Sequence, residues 1–163
     1  MAVRNRTIIR QEVAYAAADA AITDNLPVNP LSFIDIILRG ITLTTITIPT
    51  VVNILATLSN IEILFNGSAF ISISPRDLYA LQSAMGWVQN VPQPRDSIDA
   101  TPYRLLLRVS FSRKPFWANE GFPASRAGEL QIRCTPAASY TNVETTSLTI
   151  ETEEILDGNF ENF

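Results

Sequence analysis

Chemistry at a protein site begins with nucleophiles, bases and metal ligands, and this chain is short of all three. It has no histidine and one cysteine, Cys134. Without imidazole there is no Ser-His or Cys-His machinery, few transition-metal sites, and no ordinary general base near neutral pH. A lone cysteine excludes an internal disulfide and a cysteine-based zinc cluster. Cys134 falls in phase with Leu130 and Ile132, which predicts a buried, inert thiol. Carboxylates remain. Asp96 with Asp99, or Glu153 with Glu154, would have to serve a carboxylate-based hydrolase. Neighbouring acids on a turn or strand are ordinarily solvated charges, and nothing places these across a cleft. The glycines are few and isolated, so no phosphate-cradling loop is present. The expectation is no enzyme, no metal and no cofactor.

Residues suited to contact are easier to find. Arg4, Arg6 and Arg10 lie in an N-terminal stretch without an acid. Such an arm suits an acidic neighbour, nucleic acid or anionic lipid headgroups, or it is a solubilising tail. The connection over residues 112–128 is long for a structureless loop. Its Phe116, Trp117 and Phe122 either form an exposed contact surface or fold back to plug one end of the fold, and the plug is favoured. The acidic tail DGNFENF carries Phe160 and Phe163, which either dock on a neighbouring subunit or fray. A carbohydrate-binding module is the alternative, with Trp87, Phe116 and Trp117 as a sugar-stacking platform. Core or interface packing is the commoner role for such tryptophans. Asn66-Gly67-Ser68 matches a glycosylation acceptor, but turn geometry accounts for it.

The elements that must position these groups read as strands. With 163 residues, 47% hydrophobic and 17% charged, the chain suits one domain with a real core. The pI near 4.8 argues against binding nucleic acid through the whole surface. No apolar run is long enough to span a bilayer, and the start lacks a secretory signal's apolar core. From Leu31 to Arg39, Ile34, Ile36 and Leu38 share one side while Asp35 and Arg39 take the other, the period of a sheet strand. The alternation changes phase at Thr44-Thr45, which suggests a bulge, and Pro49 ends it. Val51 to Leu58 has helical spacing. Ile61, Ile63 and Phe65 lead into an Asn66-Gly67 hairpin whose return strand holds Ala69, Ile71 and Ile73.

Ser74-Pro75-Arg76-Asp77 is a helix start, with Leu78, Leu81 and Met85 as the apolar stripe. Tyr103 to Phe111 and Glu129 to Thr135 alternate cleanly. Thr146 to Ile155 is the last strand, and its Glu151, Glu153 and Glu154 would guard a sheet margin. Gln11 to Asp24 is helical by alanine content, yet Ile22-Thr23 before Leu26-Pro27 favours an extended arm and a short strand. The count is about eight antiparallel strands and two short helices without βαβ alternation, an all-β single jelly-roll sandwich. The expected organisation is an N-terminal arm and lead-in strand over 1–25, a jelly-roll domain over 26–156 and a tail over 157–163.

Leu31 to Gly40, the Ile61 to Gly67 hairpin, Asp77-Leu78 and the Ala-rich lead-in ending at Leu26-Pro27 carry a family likeness. In their order the chain resembles the jelly-roll capsid proteins of tailless icosahedral viruses with an internal membrane. Within that group it looks most like the small single jelly-roll major capsid protein of sphaerolipovirus-type phages. The likeness covers about the first half of the chain, and the second half matches only in strand count. It implies a structural coat protein of a virion, assembled in host cytoplasm from copies of itself and a second, larger jelly-roll protein. It also implies a lipid layer beneath the shell. The basic arm and the tail would then tie to neighbours, membrane or genome.

Overall fold

A computed structural model describes residues 3–42, 50–85, 102–111 and 120–156 of the chain. Eight strands and two helices follow one another as β1 (Arg4–Ala14), β2 (Ile22–Asn25), β3 (Leu31–Thr42), α1 (Val51–Leu55), β4 (Leu58–Phe65), β5 (Ser68–Ile73), α2 (Pro75–Ala84), β6 (Pro102–Ser110), β7 (Leu130–Pro136) and β8 (Val143–Ile155). They form two four-stranded antiparallel sheets, ordered β1-β8-β3-β6 and β2-β7-β4-β5. Apart from the β4–β5 hairpin, each consecutive pair of strands crosses from one sheet to the other. Two facing sheets laced in this way make a jelly roll.

Alternation puts the core between the sheets. Ile34, Ile36, Leu38, Leu105, Leu107, Leu148 and Ile150 of the first sheet meet Ile61, Ile63, Leu130, Ile132 and Cys134 of the second, all fully buried or nearly so. Each such side chain stabilises the fold by about 1.5–3 kcal/mol relative to exposure. Ile54 and Leu55 of α1 and Leu78 of α2 pack on the same cluster. The Asn66-Gly67 turn takes positive φ at both positions, 51° and 77°, as a tight hairpin of this hand requires. Ser74 caps α2 by accepting a hydrogen bond from the Asp77 amide at 3.1 Å, with Pro75 in the first turn.

Several expectations change. Residues 4–14 are not a free arm: they are β1, an edge strand paired along β8 and so part of the sandwich. The extended reading of Gln11 to Asp24 holds, with β1 running to Ala14 and the short β2 beginning at Ile22. The last strand is not marginal. Strand β8 lies between β1 and β3, so its acids are interior to a sheet and cannot guard an edge. On α2, Leu81 and Met85 are 49% and 44% exposed while Gln82 is buried, so the inward face is turned from the expected stripe. Helix α1 ends at Leu55, and Leu58 opens β4. The Thr44-Thr45 phase change and Pro49 lie outside the described residues.

Candidate functional site

The outer face of the first sheet carries an ionic network built by register. Strands β3 and β6 pair Asp35 directly with Arg108, and β3 and β8 pair Asp35 with Glu151. Asp35 has no exposed side-chain surface. Arg108 grips it bidentately, Nε donating to Oδ1 at 2.6 Å and Nη2 to Oδ2 at 2.7 Å. Arg6 of β1 donates from Nη2 to the same Oδ2 at 2.6 Å, and its Nε lies 3.4 Å from Glu151 Oε2. Both guanidinium groups lie over the Phe33 ring, Arg108 at 3.8 Å and Arg6 at 5.7 Å from its centroid. A buried carboxylate between two planar cations, over an aromatic face, meets its desolvation cost with charge-assisted hydrogen bonds.

Two more ties hold β1. Arg4 Nη1 donates to Glu153 Oε1 at 3.0 Å. Arg10, shifted in phase by a bulge, reaches across to β2 and grips Asp24 with Nε and Nη2 at 2.7 and 2.6 Å. The three arginines expected to meet partners are thus engaged inside the chain. Glu153 and Glu154 point to opposite faces, as strand neighbours must. Glu154 accepts from the Thr7 hydroxyl at 2.5 Å and the Asn29 amide at 2.6 Å, so the two acids form no hydrolytic pair. Among the described residues no group of three or more His, Cys, Asp or Glu side chains could hold a metal. No helix among them is long and apolar enough to cross a membrane.

A second feature is apolar. Phe122 packs against Phe65, Phe70 and Phe111, with ring centroids 5.9, 5.5 and 5.4 Å apart. It also bridges to Leu31, each residue's amide donating to the other's carbonyl. Phe122 therefore folds back onto the end of the sandwich. Phe111 continues into a cleft of about 380 Å³ between α2, β5 and β6, lined also by Ile71, Ile73, Leu78 and Leu81. Phe65, Phe70, Leu81 and Met85 stand 39–49% exposed along this flank. Scattered exposed apolar residues are ordinary, but a contiguous run of them marks an association surface.

Among solved structures, the major capsid protein of Sulfolobus Turreted Icosahedral Virus matches 93% of this chain with a TM-score of 0.70 at 15% identity, over 48% of its own length. A chain in the atomic structure of that virus gives 0.71 at 16% identity, over 93% of this chain and 45% of its own. The major capsid protein P2 of bacteriophage PM2 gives 0.55 at 10% identity, over 96% of this chain and 52% of its own. The fold is shared with viral major capsid proteins. At these identities the likeness is one of fold, and this chain spans about half the length of the solved chains it matches. No family model matches the chain, and no curated protein matches it.

This capsid-type jelly roll brings Arg4, Arg6 and Arg10 onto one edge of the sandwich. Trp87, Phe116, Trp117, Phe160 and Phe163 lie outside the described residues, as do Asp96 and Asp99. The Asp35–Arg108 pair escapes sequence reasoning. Its signal was a charge on the outer side of each of two clean strands, but only the register brings those charges together.

Proposed function

We propose that this chain is a coat protein, a jelly-roll subunit that associates side by side with copies of itself into the shell of an icosahedral virus. The observation that carries the reading is the match of nearly the whole chain to viral major capsid proteins. Its apolar flank suits lateral association, since Phe65 and Phe70 stand exposed beside Phe122, and Leu81 and Met85 stand exposed around the cleft that Phe111 lines. A second coat protein, an underlying membrane or genome, and assembly in host cytoplasm belong to the same reading. So do Phe116, Trp117, Phe160 and Phe163 as contact residues. Arg4, Arg6 and Arg10 contribute through β1, whose placement they fix, and Arg6, with 54% of its side chain exposed, is the one best able to meet a neighbour.

Electron microscopy of the purified chain across a concentration and salt series tests this. Ordered rings, sheets or shells are expected. Featureless monomers at every salt and concentration would contradict the reading.

A further inference from the structure

Among the described residues, the outer face of the first sheet carries one more arginine than acids. Arg4 meets Glu153, Arg6 meets Asp35 and Glu151, Arg108 meets Asp35, and Arg39 meets Glu12. Arg104 is exposed and makes no ion pair or hydrogen bond among the described residues. It stands directly opposite Arg39 in the β3–β6 register. Like charges in that position repel, so the pair costs stability unless an anion lies between them. Arg39 is itself incompletely met: Glu12 takes its Nη1, while its Nε is buried without a hydrogen-bond partner. A buried unpaired donor carries a desolvation cost, so the local charge balance around Arg39 is incomplete.

Space for that ligand is present. Arg39, Gly40, Pro102, Tyr103 and Arg104 line a concavity of about 360 Å³, which is within the size range of small-ligand sites. We propose that this concavity binds a phosphate group held between the Arg39 and Arg104 guanidinium groups. A carboxylate can bridge two guanidinium groups, as Asp35 bridges Arg108 and Arg6, but it brings only two oxygens and a single charge. Phosphate spreads its oxygens tetrahedrally, so it can take Arg104's free fork and the exposed part of the Arg39 guanidinium together. The site does not rest on the coat-protein reading. Binding is read on the isolated chain, so failure here leaves the assembly test untouched.

The experiment is calorimetric titration of inorganic phosphate into the wild type, R104Q and R104K, with chloride at matched ionic strength as control. Circular dichroism checks that each variant folds. Saturable phosphate binding is expected in the wild type. R104Q should bind about tenfold more weakly or worse, with R104K between them, because charge survives in R104K without the fork. Co-sedimentation with phosphatidylcholine vesicles, with and without phosphatidic acid, separates the phosphate's sources. Recruitment of the wild type but not R104Q to the acidic vesicles assigns a lipid headgroup. Phosphate binding without recruitment assigns a soluble phosphate. Unsaturable titrations with no vesicle recruitment, equal affinity in R104Q, or acetate binding better than phosphate would each overturn the proposal.

Discussion

Asp35 and Arg6 occupy one network but should differ in what their loss costs. Asp35 is fully buried, and Arg108, its bidentate partner, is only 12% exposed. Removing the carboxylate takes two short charge-assisted hydrogen bonds from a nearly buried guanidinium. D35A should therefore lose about 3–5 kcal/mol in urea unfolding. Arg6 keeps 54% of its side chain in water, so R6A should lose only about 1 kcal/mol or less. Equal losses would show that burial does not grade this network. Cys134 gives a pH dependence. Burial, and then the charge of Asp24, push its thiol from 9.0 up to about 12. The native state holds this proton after the unfolded chain has released it. Its contribution is therefore complete below pH 9 and lost as pH rises towards 12. Burial also raises the Tyr15 and Tyr103 hydroxyls above their ordinary value of 10.0, adding to the decline from that pH upward. C134A should flatten the fall in stability between about pH 9 and 11. An unchanged slope there would contradict the assignment.

At the scale of elements, close approach is what fixes strand β3 beside β8. A Cβ at Gly40 would lie 1.8 Å from the Thr145 carbonyl oxygen and 2.6 Å from the Tyr103 hydroxyl. G40A must displace backbone, so a loss of at least about 2 kcal/mol is expected from thermal unfolding. A wild-type melting temperature would refute the close approach. Much of this level was readable in advance. Alternation in Leu31 to Arg39 and Tyr103 to Phe111, the Asn66-Gly67 turn and the Ser74-Pro75 cap are local signals, and each marks the element found. What could not be read was pairing. Arg4 looks unpaired because its acid, Glu153, is 149 positions away. Glu151 to Glu154 look like edge guards because nothing local says that the last strand enters the middle of a sheet. Likewise, Gln82 turns inward on α2 in place of Leu81 because β6 and β4 set the helix's seat.

For the whole molecule, the two sheets explain stability, and the proposed association falls to the exposed flank. Phe70 and Leu81 are 46% and 49% exposed, so changing them removes little from the isolated fold. F70E with L81E should leave urea unfolding within about 1 kcal/mol of the wild type while suppressing oligomers. Loss of stability with retained assembly would move the contact elsewhere. Self-association itself is tested most directly by sedimentation velocity of the wild type over a wide range of protein concentration and salt. The account predicts discrete species at multiples of the 18.0 kDa chain that gain weight with concentration. A single 18.0 kDa species under every condition would contradict it.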